Sequence, residues 1–139
     1  MDDEGTLSIA LFSGTDDKLS AAALLAAGAA VVGRKVDILL QYWALDAFRA
    51  GELTKEHGLA PEAGWDGAQA MRRLQEDGGG QHWSEVLGEA KQLGDVHLHA
   101  CSLSMDMLGL NQDDLDPMVD DVEGVTAFML AADGQLVFI

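Results

Sequence analysis

Cys101 is the only cysteine in the chain, so neither an internal disulfide nor an all-cysteine metal site can form within it. A lone thiol is more often buried than reactive, and its neighbourhood has to decide. Cys101 ends the apolar run Val96-His97-Leu98-His99-Ala100 and is followed by Ser102-Leu103-Ser104. If that run is a strand and the next residues open a helix, the thiolate is favoured there and the thiol pKa falls. The N–H groups of Leu103, Ser104 and Met105 would then face the sulfur, or cradle the oxygens of a sulfonate-like anion. Ser102 and Ser104 add hydroxyl donors. A second loop of the same kind, Ser13-Gly14-Thr15-Asp16-Asp17, follows the apolar run Leu7 to Phe12.

His97, His99 and Cys101 share parity, so on a strand they face one side. Three readings follow. Two imidazoles and a thiolate resemble half-built zinc chemistry, but no fourth ligand is evident and no metal site is expected. His99 alone, two residues from the thiol, is a candidate base. The plainest reading has both histidines packed against a flanking helix. Other signatures are missing: neither G-x-G-x-x-G nor G-x-x-x-x-G-K-[ST] occurs, and one cysteine cannot make C-x-x-C. No bound cofactor is expected. His57 and His82 lie in polar segments, and the three tryptophans suit core or interface anchors.

The elements that must position these residues follow from the apolar patterning. The run at residues 7–12 reads as a strand, about 18–33 as an Ala/Leu-rich helix ended by Gly33, and 36–42 as a second strand. Strand, helix, strand at this spacing predicts a parallel βαβ unit with a right-handed crossover. Residues 45–50 allow a helical turn or two, and 51–64 are polar and irregular. Residues 65–74 look helical, and Gly78-Gly79-Gly80 breaks the chain, so 51–80 is a variable connector. Helical spacing resumes at Trp83 and stops at Gly94. A third strand at 96–100, a short helix at 102–109, a fourth strand at 115–122 with Pro117 marking a sheet edge, a helix at 124–132 and a last strand at 136–139 complete the order. The expectation is an α/β domain over 1–139 with a five-stranded, mostly parallel sheet and helices on both faces. Ligands in such sheets bind beyond the carboxyl ends of the strands. With strand one central, the loops at Ser13 and Cys101 would be neighbours.

Composition bounds the function. The 139 residues are 48% hydrophobic and carry 24 acidic against 8 basic residues, a net charge of −16. That charge repels a phosphate backbone, so nucleic-acid binding is not expected. The longest apolar run, residues 21–32, falls short of the ~20 residues that span a bilayer. Met1-Asp2-Asp3-Glu4 is acidic where a secretion signal is basic. The expectation is a cytoplasmic chain without a transmembrane segment, its acidic surface serving solubility.

Ala100-Cys101-Ser102-Leu103-Ser104-Met105-Asp106-Met107-Leu108-Gly109-Leu110 resembles the active-cysteine segment of the DsrE/DsrF/TusD-like sulfur-relay family. It is most similar to the stand-alone DsrE-type branch, whose segment runs A-C-x-M-S-M-D-x-M-G-[IL]. Val122 to Phe128, the Val137-Phe138-Ile139 stretch and the Ser13-Gly14-Thr15-Asp16 turn also resemble that branch. The resemblance implies a flavodoxin-like (DsrEFH-like) fold, assembly into homo-oligomers, and a cytoplasmic sulfur carrier or sulfurtransferase. Such a carrier holds sulfane sulfur, or a thiosulfonate, on the cysteine matching Cys101, and acts as a carrier rather than a multiple-turnover enzyme. It exchanges sulfur with TusA-like or rhodanese-like proteins. Ser102, Ser104, Ser13, Gly14 and Thr15 are the expected anion-binding residues. The connector departs from the family in being acidic and Gly-rich, and His99 stands where an apolar residue is expected. The alternative is a non-catalytic oligomeric α/β module that binds a small anion or a protein partner.

Overall fold

A computed structural model describes residues 5–78 and 80–139. Met1 to Glu4 and Gly79, the middle of the glycine break, lie outside the described residues. The strands are β1 (Leu7–Leu11), β2 (Val36–Leu40), β3 (Val96–Cys101), β4 (Asp121–Glu123) and β5 (Leu136–Phe138). The helices are α1 (Asp16–Val31), α2 (Tyr42–Ala47), α3 (Gly64–Glu76), α4 (Trp83–Leu93), α5 (Ser102–Leu108) and α6 (Val125–Ala131).

The strands form one sheet in the order β4-β3-β2-β1-β5, and every neighbouring pair is parallel. The α/β fold class expected from the alternation is the one observed. β2, not β1, is the central strand, and all five of its residues are buried. The chain steps one way through β1, β2, β3 and β4, then returns past them all to place β5 beside β1. Because crossovers are right-handed, the forward steps put their helices on one face and the single return step puts α6 on the other.

That asymmetry governs burial. On the first face Leu7, Ile9, Leu11, Val36, Ile38, Leu40, Val96, Leu98 and Ala100 pack against α1, α2, α4 and α5 in one continuous core. Alternation along the strands sends Ser8, Asp37, Leu39, His97, His99 and Cys101 to the second face. There the core shrinks to Leu39, Cys101 and Phe128, the last from α6. Helices do cover both faces, very unequally.

Two boundaries depart from the expectations. β2 stops at Leu40, because Tyr42 takes a positive φ of 42° and opens α2. The expected fourth strand at 115–122 is strand only over Asp121–Glu123. Pro117 has no N–H for a ladder; the Asp116 carboxylate takes the Met118 N–H at 2.9 Å and the Asp116 carbonyl takes that of Val119 at 3.0 Å, so a turn forms. Leu115 bridges Arg49 instead of joining the sheet. α1 ends as its Gly33 suggested, with φ 82° and the Gly33 N–H donating to the Ala30 carbonyl.

The irregular stretch after α2 is held by the first turn of α1. Asp16 accepts the His57 N–H and the Trp83 indole N–H, both at 2.9 Å. Asp17 accepts the Ala60 N–H at 3.1 Å. Two carboxylates at a helix start suit its dipole, and here they also tie down the connector.

Candidate functional site

Cys101 is the last residue of β3 and flanks the first residue of α5. Its neighbour across the ladder is Glu123 of β4. From these two adjacent strand ends the chain departs in opposite directions, α5 over the first face and α6 over the second. This is the switch point of the sheet, where open α/β folds leave a crevice. A Cβ built on Gly124, the residue entering α6, would sit 3.7 Å from the Ser102 hydroxyl, so the two departures run close together. Ser102 is exposed. The N–H groups of the first turn of α5 have no partner within the helix, and the carboxylate of Glu123 on the neighbouring strand end opposes the partial positive charge they carry. The thiol itself is closed off: Cys101 is 1% exposed, enclosed with Leu39 and Phe128.

Ser104 has a structural task. It is fully buried, and its hydroxyl accepts the Tyr42 N–H at 2.9 Å. That bond holds the β2 loop at its left-handed residue and locks it to α5.

Ser13, Gly14 and Thr15 lie on the same edge of the sheet as Cys101, but they are not its neighbours. With β2 central, its loop, Gln41 to Trp43, stands between them. Gly14 is packed against the Trp43 backbone so tightly that any Cβ would collide with the Trp43 carbonyl. The Ser13 N–H donates to the Ile139 carbonyl at 3.2 Å. These three residues line a separate cleft of about 510 Å³ with Trp43, Lys18 and His57. The expectation that the two loops adjoin, which assumed a central β1, is corrected.

His99 is buried and bonded at both ring nitrogens. Nε2 lies 2.8 Å from Asp37 Oδ1 on β2, and Nδ1 lies 2.6 Å from Asp121 Oδ1 on β4, with Glu123 Oε2 at 3.9 Å. Neither nitrogen is left for the thiol, so the role of base expected for His99 has no free lone pair in this arrangement. Only an imidazolium donates from both nitrogens. Burial pulls its pKa down, but the hydrogen bonds of Asp37 and Asp121 outweigh burial, and the pKa is raised. His97, stacked on His99 with ring centroids 6.4 Å apart, turns to Asp95. Among the described residues no three His, Cys, Asp or Glu side chains are grouped to hold a metal ion.

Asp37, Asp121 and Phe128 were not among the site residues expected from the sequence. Asp37 carried a usable signal: it is the single charge inside the run Val36-Asp37-Ile38-Leu39-Leu40, and a charged residue within a buried strand needs a partner. Nothing local said that the partner was His99, 62 residues on.

The family model described as "DsrE/DsrF/DrsH-like family" matches residues 60–137. YrkE of Bacillus subtilis (strain 168), an uncharacterized protein, is 29% identical over 148 residues, spanning 91% of this chain and 90% of its own. Among solved structures, MTH1491 of Methanobacterium thermoautotrophicum, a protein of unknown function, superposes with a TM-score of 0.65 at 11% identity, covering 97% of this chain and 99% of that one. The YchN protein of E. coli gives 0.57 at 15% identity, over 98% and 99%. At such identities the two structures speak to the fold alone.

Proposed function

The chain belongs to the DsrE/DsrF/DrsH-like family, and from that premise we propose that it is a sulfur carrier or sulfurtransferase that loads sulfur on Cys101. The observation that carries the reading is the position of Cys101, the only thiol in the chain, at the switch point between the starts of α5 and α6. In the transfer step the Cys101 thiolate attacks the outer sulfur of a donor persulfide, R–S–SH. A new S–S bond forms as the donor's breaks, leaving Cys101–S–SH and the thiolate R–S⁻. No net oxidation occurs. With tetrathionate the same attack releases thiosulfate and leaves a thiosulfonate on Cys101. A second protein then takes the sulfur by the reverse exchange, so one cysteine suffices. TusA-like or rhodanese-like proteins fit the roles of donor and acceptor. Ser102 is the hydroxyl best placed to meet a terminal sulfonate, with Ser104 fixing the loop behind it and Ser13, Gly14 and Thr15 forming a second, separate anion subsite.

No helix among the described residues is long and apolar enough to cross a membrane, and the proposed setting is the cytoplasm. Self-association is part of the proposal. Val125, Met129 and Leu130 of α6 and Leu136 and Phe138 of β5 are exposed, an apolar surface of the sort that marks an interface.

The buried state of the thiol favours a second reading, a binding module in which Cys101 is inert. Intact mass after incubation with a persulfide donor, thiosulfate or tetrathionate separates them. A gain of one sulfur, or of one thiosulfonate, that a reductant removes and that maps to Cys101 is the expected result. An unchanged mass with every donor, while the denatured protein takes up label normally, overturns the carrier reading for small donors and favours the module.

A further inference from the structure

We propose that His99 is a positioning residue for Cys101: the Asp37–His99–Asp121 bridge fastens the edge strand β4, and through it α6 and Phe128, over the thiol. The bridge spans three strands on the face that also carries the sulfur. β4 has three residues and one sheet neighbour, so its hold on β3 is short, and Asp121 is the first of the three. One residue past β4, Gly124 turns the chain into α6, where Phe128 closes over Cys101. Loosening the bridge therefore acts on the cover of the thiol.

The groups facing His99 are Asp37 on β2, with Lys35 Nζ 3.7 Å from its other oxygen, Asp121 and Glu123 on β4, and His97 beside it on β3. α6 contributes no titratable side chain. The imidazolium satisfies both carboxylates. The neutral ring keeps one N–H, so one carboxylate faces a lone pair and its contact turns repulsive. The bridge is closed below the raised pKa of His99 and opens as pH rises through it. The consequence for sulfur delivery rests on the reading of Cys101 given above, but the bridge itself is tested without any sulfur donor.

The rate of Cys101 alkylation by iodoacetamide is measured from pH 6 to pH 9 on the native chain, as a ratio to the same chain unfolded in urea. In the native protein the ratio rises severalfold with pH. In His99→Gln it is high and lacks that step, and Phe128→Ala is high throughout. Asp121→Asn, on the exposed side of the bridge, also loses the step, whereas Asp121→Glu, which keeps the carboxylate, retains it. A His99 acting only through its charge has the opposite sign: an imidazolium favours the thiolate, so the ratio falls as pH rises. A flat or falling ratio in the native protein overturns the proposal, as does an unchanged step in Asp121→Asn or an unchanged ratio in Phe128→Ala. If His99→Gln fails to fold, the Asp121 pair decides. Failed sulfur loading with an intact pH step removes the carrier reading and leaves the bridge; normal loading without the step does the reverse.

Discussion

Replacing Cys101 with Ser removes the thiol while changing one buried atom, so the variant should retain its fold and lose sulfur uptake entirely. A reducible mass gain persisting in Cys101→Ser would assign the chemistry elsewhere. His99 makes a separable prediction about stability. Its folded pKa is raised above the unfolded value of ~6.5, so its contribution is fully present below ~6.5 and is lost as pH rises through the folded value. Urea unfolding at several pH values should show that loss on the alkaline side, and His99→Gln should flatten it. The acid side has another origin. Burial alone would raise Asp120, but the Lys91 ammonium and the Leu98 N–H outweigh it and hold its carboxyl below the usual range. The stability from Asp120 is therefore present above the unfolded pKa and lost as pH falls through the folded one. At this scale the sequence was half legible. Cys101 and the shared parity of His99 could be seen in the alternation of β3, but the pairing of His99 with Asp37 and Asp121 depends on register between strands that are far apart in the chain.

The elements were more legible than their ends. Apolar residues at alternating positions disclosed β1, β2 and β3, because one face of each lies in the main core, and Ser8, Asp37, His97 and His99 on the other face did not hide that pattern. β4 was overextended because Leu115, Met118 and Val119 look strand-like while the hydrogen bonds of Asp116 make a turn. The place of β2 at the centre was not legible at all, and so the separation of the Ser13 and Cys101 loops was missed. Gly14 tests how the β1 and β2 loops share that edge. Gly14→Ala puts a methyl against the Trp43 carbonyl, and the backbone must shift to accept it, at a cost of about 1–3 kcal/mol. Equal urea midpoints for Gly14→Ala and the native chain would show that the two loops part easily.

The whole molecule pairs a strongly acidic chain with an uncharged helix. From Gly124 to Ala132 no residue is charged, in a protein of net charge −16. Leu130 is 83% exposed and Phe138 69%. If this surface joins copies of the chain, Leu130→Asp should shift the mass measured by light scattering toward the single chain. Raising salt should strengthen association in the native protein, since screening relieves repulsion between like-charged copies. A native chain that is already monomeric at high concentration and high salt removes homo-oligomers from the proposal.

Placing β5 beside β1 also sets a clock. The Thr6 N–H donates to Asp133, 127 residues away, and Ser8, Ile9 and Ala10 wait for Leu136, Val137 and Phe138. At typical synthesis rates of ~5–20 residues per second, β1 is made on the order of ten seconds before its second neighbour exists. For that interval a nascent chain carries an open strand edge, a template for any other extended segment nearby. Heat-shock chaperones that bind extended apolar peptides should find this protein during its synthesis rather than after it.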